Sequence, residues 1–277
     1  MEQRVAVVTG GTSGLGRAMA LGLAHAGHAV VAVGHIGADA DALAGTALAG
    51  TLLAVVTDLR AAGECDRTLG LARERFGGLD ILVNCAGLLF TTIDPARFRR
   101  PTIQKFWEVG DAMVENVFAV NVLVADRLAR RVAPLMVAQG WGRIVNVTTK
   151  LDTMNRAGTH PYGATKAALE MATEVWAKEV SGTGLTINIV NPGAGANTPG
   201  MAAEMRQMSR EGRAPRLVEP GEMVPPLLYV VSREADNVNG WRFDANLWDA
   251  SLPPHEAARR AGRPAGFALH PAERPPL

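Results

Sequence analysis

Tyr162 and Lys166 stand four residues apart in the segment Tyr162-Gly163-Ala164-Thr165-Lys166-Ala167-Ala168-Leu169. Its alanines and leucine favour a helix, so both side chains project from one helix face. A phenol titrating at about pH 10 is a poor acid and a poor base at neutrality, and a neighbouring ammonium stabilises its phenolate and lowers its pKa. The pair therefore nominates Tyr162 as an acid/base and Lys166 as the group that tunes it. The same spacing is common on solvated helix faces, so the pair needs support from elsewhere in the chain.

That support begins at Thr9-Gly10-Gly11-Thr12-Ser13-Gly14-Leu15-Gly16, between the apolar run Val5–Val8 and a segment in which Leu15, Ala18, Met19, Gly22, Leu23 and Ala26 share one helical face. A strand, a glycine turn and a helix in that order present free backbone N–H groups at a helix N-terminus, where a pyrophosphate can rest and where a Cβ would block its approach. Gly10, Thr12, Ser13, Gly14, Leu15 and Gly16 are the candidate binding loop. The elements that must position loop and pair follow the same alternation. Short β-branched runs at Val5–Val8, Ala29–Val33, Leu52–Val56, Ile81–Val83, Arg143–Val147 and Leu185–Val190, with a seventh at Gly240–Asp244, are separated by helical stretches. This pattern predicts an α/β fold, a Rossmann-type doubly wound parallel sheet with helices on both faces.

With those residues in hand the chain resembles the short-chain dehydrogenase/reductase family over roughly residues 4 to 250. The spacing T-G-x-x-x-G-x-G is that family's, Asn84-Cys85-Ala86-Gly87 looks like its N-N-A-G motif, and Asp58-Leu59 looks like its adenine contact after the third strand. Asn121, Thr149, Tyr162 and Lys166 fall on its Asn, Ser, Tyr and Lys positions, and Pro192-Gly193 matches its turn after the sixth strand. The resemblance implies hydride transfer between nicotinamide C4 and a carbonyl or alcohol carbon, with Tyr162 exchanging the proton. In the same reading Thr149 polarises the oxygen, Lys166 holds the ribose, and Asn121 links a proton relay. Asn84, Ala86, Gly87, Asp58, Leu59, Pro192, Gly193 and Thr198 would contact the cofactor. The family's oligomers imply a homodimer or homotetramer, formed through the helices carrying Asn121 and Tyr162.

The chain departs from the family at several points. Threonine replaces serine at 149, with Thr148 a rival for the role, and Asn197 occupies the usual threonine position with Thr198 one residue later. The end of the second strand is Gly34-His35 rather than an acid that would repel a 2′-phosphate, and the acids Asp39 and Asp41 come later. NADP is expected in preference to NAD, with His35 either a phosphate donor or a solvated loop residue. The Arg or Lys that usually grips this phosphate is missing from both the glycine loop and the Gly34-His35 turn. Between Gly87 and Asn121 the chain is longer than the family's by roughly two helical turns, and there it carries Arg97, Arg99, Arg100, Lys105 and Trp107. These arginines are either an anion clamp or a solvated charged loop.

Composition narrows the class further. The chain has 277 residues, 48% of them hydrophobic, and a formal charge of +1, which suits a core-forming enzyme and gives no field for nucleic acid. No run reaches the roughly 20 apolar residues of a membrane span, and no signal-peptide core is seen. Two cysteines without CxxC spacing read as reduced thiols in a cytoplasmic protein. The six histidines form no metal pattern, and His160 stands as a possible active-site neighbour. The expected domain is 1–250, with a substrate lid at about 192–226 and an extended Pro-rich tail over 251–277. Aromatics from Trp241 to Trp248 either close the pocket or pack at a subunit interface. The expected activity is an NAD(P)-dependent oxidoreductase on a small molecule. Epimerisation, dehydration, imine reduction and non-catalytic dinucleotide sensing are the alternatives.

Overall fold

Every one of the seven β-branched runs becomes a strand in the computed structural model, which describes residues 3–267 except 47, 49 and 100. The strands are β1 (Val5–Thr9), β2 (Ala29–Gly34), β3 (Leu52–Val56), β4 (Ile81–Asn84), β5 (Gly142–Asn146), β6 (Leu185–Asn191), β7 (Trp241–Asp244) and β8 (Gly262–Pro264). They form one eight-stranded sheet in the order β3-β2-β1-β4-β5-β6-β7-β8. Pairings from β3 to β7 are parallel and only β7–β8 is antiparallel.

The central strands lack polar alternation because both of their faces are covered. Ala6, Val8, Val30, Ala32, Ile81 and Val83 point into one core with Met19 and Leu23 of the helix Gly14–His25 and Leu227 and Val230 of the helix Val224–Val230. Val5, Val7, Val31, Leu82 and Ile144 point into the other, against Leu69 of the helix Glu64–Phe76 and Leu128 and Val132 of the helix Val124–Ala138. Strand β1 has β2 on one side and β4 on the other. The chain thus reverses its winding direction there, and open α/β sheets bind ligands in the crevice beyond the carboxyl ends of such strands.

Three expectations change. Beyond residue 250 the chain is not extended: Pro254–Ala261 is a helix with Ala257, Ala258 and Ala261 buried, and β8 pairs with β7. Its small alanines let the helix lie close to the sheet, and Pro253–Pro254 suits a helix start, where a missing N–H costs nothing. Pro275 and Pro276 lie outside the described residues. Second, only part of 192–226 can act as a cover. Val218, Met223 and Pro226 are buried in the core, whereas the helix Ala203–Arg210 buries no side chain. Third, none of the late aromatics lines the large cleft. Tyr229, Phe243 and Trp248 pack on one another at 5.7–6.3 Å, with Trp241 stacked on Phe243 at 6.5 Å. Among the described residues no helix is long and apolar enough to cross a membrane, and no group of His, Cys, Asp or Glu could hold a metal ion.

Candidate functional site

A cleft of about 950 Å³ opens past the carboxyl ends of β1, β2, β4, β5 and β6. It brings together Gly10, Thr12, Ser13, Gly14, Leu15, Gly16, His35, Asp58, Leu59, Ala86, Gly87, Thr149, Tyr162, Lys166, Pro192 and Thr198 on one continuous wall. The glycine loop is shaped by close approach. Gly10 has φ +65°, and a Cβ there would stand 3.0 Å from the Ala86 Cα; one on Gly16 would meet the Gly10 carbonyl oxygen at 2.1 Å. Thr9 ties this loop to the next, since its hydroxyl oxygen accepts the Cys85 and Ala86 N–H groups at 3.0 and 3.1 Å. The first N–H groups of the following helix have no intrahelical acceptor, so the loop is open to an anion in the way a pyrophosphate requires.

Tyr162 and Lys166 lie in the first turns of the helix Tyr162–Glu179, both buried. Thr149, not Thr148, is the hydroxyl within hydrogen-bonding reach of the phenol; the Thr148 hydroxyl donates to Glu170 at 2.9 Å. The expected pKa depression is not found. Burial pushes the Tyr162 phenol up to about 12, against the lowering effect of Thr149, and burial brings the Lys166 ammonium down to about 8. The reason is distance and desolvation: Lys166 Nζ donates to the Val147 carbonyl at 2.9 Å and lies 6.0 Å from the Tyr162 ring centre, too far to offset the loss of water around the phenolate. Cys85 stands beside them, its thiol raised by burial to about 11, hence protonated and unreactive at neutrality.

Three sequence candidates do not reach the wall. Asn84 is a β4 residue whose amide donates to Asn146 of β5 at 2.9 Å, so it ties strands together. Gly193 packs against Asn246 and Asp244. Asn121 sits in a π-helical turn, Ala119–Leu123. Its side chain accepts the Leu88 N–H at 2.7 Å and donates to the Leu88 carbonyl at 3.0 Å and Thr165 Oγ1 at 3.1 Å. It nonetheless borders the site, because a Cβ on Gly87 would lie 3.4 Å from both Asn121 Oδ1 and Lys166 Nζ. Of the two residues after the β6 turn, Asn197 turns away to Glu219 at 2.9 and 3.0 Å. Thr198 lies over Gly14, where a Cβ would approach it to 3.4 Å. His160 is exposed and packs edge-on to Phe106 at 6.3 Å, off the wall. Arg60, which sequence reasoning missed, lines the cleft and holds Asp58 through contacts of 2.6–3.1 Å. Those bonds bring the Asp58 carboxyl down to about 2. The run Asp58-Leu59-Arg60 was in plain view, but nothing in it showed that the guanidinium folds back.

A family model described as short chain dehydrogenase matches residues 4–209. The chain belongs to the short-chain dehydrogenase family. Relatives of this family member include the fluoren-9-ol dehydrogenase of Terrabacter sp. (strain DBF63), 32% identical over 275 residues, covering 91% of this chain and 76% of that protein. The 2-dehydro-3-deoxy-D-gluconate 5-dehydrogenase of Escherichia coli (strain K12) is 31% identical, covering 87% and 93%. Among solved structures, a 3-ketoacyl-(acyl-carrier-protein) reductase from Brucella melitensis complexed with NADH superposes with a TM-score of 0.75 at 26% identity, covering 88% of this short-chain dehydrogenase and 96% of that chain. A structure from Beutenbergia cavernae with bound NADP gives 0.71 at 30% identity, covering 88% and 95%.

Proposed function

We propose that this short-chain dehydrogenase transfers a hydride between a nicotinamide dinucleotide and a carbonyl or alcohol carbon, with Tyr162 as the acid/base. The observation that carries the reading is the meeting of Tyr162, Thr149 and Lys166 on the wall that also holds the glycine loop. The family and its relatives, named as dehydrogenases and reductases, support the same chemistry. When bound, the dinucleotide supplies the hydride donor or acceptor at nicotinamide C4. The chain supplies everything else. The glycine loop receives the pyrophosphate on its N–H groups, Lys166 reaches the nicotinamide ribose, and Ala86, Gly87, Pro192 and Thr198 border the nucleotide. Thr149 donates to the substrate oxygen while Tyr162 gives it a proton in reduction or removes one in oxidation. Burial raises the phenol, so Tyr162 carries its proton at neutrality in the free enzyme.

For the cofactor we propose NADP. A side chain at Gly34 would collide with Thr12 Oγ1 at 1.9 Å, so no acid stands at the last position of β2, while His35 and Arg60 line the cleft together with Asp39. Arg60, whose guanidinium is bonded to Asp58 and Asn116 in the free protein, would have to turn from them to reach a 2′-phosphate. The free thiols Cys65 and Cys85 fit a cytoplasmic enzyme. Exposed Leu123, Leu135 and Val175 on the helices around Asn121 and Tyr162 fit a homo-oligomer. The test is oxidation of NADPH and NADH by the purified protein against ketones, aldehydes and imines. Turnover of a ketone supports the reading, and tight dinucleotide binding with no turnover of any carbonyl contradicts it.

A further inference from the structure

The segment that lengthens the chain between Gly87 and Asn121 folds over the catalytic wall. The Thr91 hydroxyl donates to the Gly200 carbonyl at 2.6 Å, Arg99 faces Glu204 at 3.9 Å, and a Cβ on Gly200 would meet Leu89 at 2.4 Å. The segment thus braces the 194–217 cover across the cleft mouth, and what it places inside is ordered by type. Phe90 lies edge-on to Tyr162 with ring centres 5.6 Å apart, and Phe98 lies edge-on to Phe90 at 6.1 Å. Leu88, Leu89, Met201 and Met205 add apolar lining to the same cleft.

Beyond the rings the character changes sign. The Arg97 guanidinium sits 5.1 Å from the Phe90 ring centre and donates to the Gly158 carbonyl. Gly158 has φ +75°, where a side chain would be strained, and a Cβ there would stand 3.0 Å from the Ile103 Cβ. Arg156 lines the same part of the cleft. Arg97 is half-buried, and burial and the Arg156 charge both work against its own charge while buried Asp94 supports it. Lys150 faces Asp152 at 3.2 Å and Arg99 faces Glu204, while Asp94 supports the Arg97 charge. The Arg97 guanidinium, desolvated over a ring and acted on by the Arg156 charge, gains from an anion that lies between the two arginines.

We propose that the substrate is an amphipathic keto acid or hydroxy acid, its carboxylate received by Arg97 and Arg156 and its reacting carbon at Tyr162. The apolar body between them spans about one aromatic ring and lies on Phe90 and Phe98. This inference rests on the hydride-transfer reading above and adds the substrate class to it. The reaction balances as before: the carbonyl carbon gains the hydride from the reduced dinucleotide, its oxygen gains the Tyr162 proton, and the carboxylate is unchanged.

Binding and turnover test it separately. The dinucleotide-saturated protein is titrated calorimetrically with 4-ethylbenzoate and with 4-ethylbenzamide, and reduction is measured for 4-acetylbenzoate and its methyl ester. The acid should bind at least tenfold tighter than the amide, with kcat/KM for the keto acid at least tenfold above that for the ester, and both preferences should shrink at high salt. Arg156→Met, an exposed position, should raise KM for the acid about three- to tenfold and affect the ester several-fold less; Arg97→Met should do so more strongly, with Arg97→Lys partly restoring it. Equal binding of acid and amide, or variants that depress acid and ester alike, overturns the proposal. Turnover of neutral ketones with no preference for the acid also overturns it while the hydride-transfer reading stands. Failure of every carbonyl despite dinucleotide binding removes that reading first.

Discussion

Replacing Arg242 with methionine should cost this protein more stability than almost any other single side chain. Arg242 and Glu170 have side-chain exposures of 1% and 0% and meet at 2.5 Å. The same guanidinium donates to the Thr149 carbonyl at 2.7 Å, to Thr148 Oγ1 at 3.2 Å and to Asp244 at 3.1 Å. Glu170 Oε1 already has no partner, so removing the arginine leaves a fully buried carboxylate with only the Thr148 hydroxyl. Removing one member of a buried pair typically costs about 3–5 kcal/mol, whereas replacing both members with apolar groups is often close to neutral. Arg242→Met should therefore destabilise by about 3–5 kcal/mol. The double variant Glu170→Met/Arg242→Met should lie within about 2 kcal/mol of the parent, a coupling that a double-mutant cycle isolates. Urea unfolding followed by tryptophan fluorescence measures both. A single variant losing under about 1 kcal/mol, or a double variant worse than the single, would refute the buried-charge reasoning. The surviving variants carry a second readout: freed from its clamp, the Thr149 carbonyl shifts, and kcat should fall with dinucleotide affinity kept.

If the charged Lys166 holds the ribose, then with its pKa brought down to about 8 it is protonated below that pH and neutral above it. NADH affinity measured by fluorescence should accordingly be flat from pH 6 to 7 and weaken about tenfold per unit well above 8; in Lys166→Met the curve should be flat throughout. Gly16→Ala forces a methyl toward the Gly10 carbonyl, 2.1 Å from the ideal Cβ, and should abolish measurable dinucleotide binding in the same titration. Arg60→Ala should weaken NADPH at least tenfold relative to NADH, and equal losses for the two would contradict the assignment of Arg60 to the 2′-phosphate.

Most of the architecture was legible because burial on both faces leaves an unbroken apolar run, as at Val5–Val8 and Ala29–Val33, and such runs announce parallel strands. The glycine loop was legible for a related reason: backbone approach at Gly10 and Gly16 admits no side chain. Strand β8 was not, since Gly262-Arg263-Pro264 has no apolar run and is defined only by its partner β7. The Tyr162–Lys166 pair was visible by spacing. Its electrostatics were not, because desolvation depends on what the fold packs around it, and Lys166 spends its hydrogen bond on Val147. Asn84 carried a motif position but points into the strand ladder. Arg60 and Arg156 carried no motif and line the cleft. Residues whose role comes from a fold-back or from a neighbouring loop leave no period to read.

The account stands most directly on Tyr162. Single-turnover reduction of a ketone by Tyr162→Phe, with dinucleotide affinity measured on the same preparation, should show binding within about threefold of the parent and a hydride-transfer rate lower by at least 10²–10⁴, the usual worth of a positioned acid. A variant that binds and still reduces at the parental rate would show that the proton comes from elsewhere and contradict the assignment of this wall as the active site.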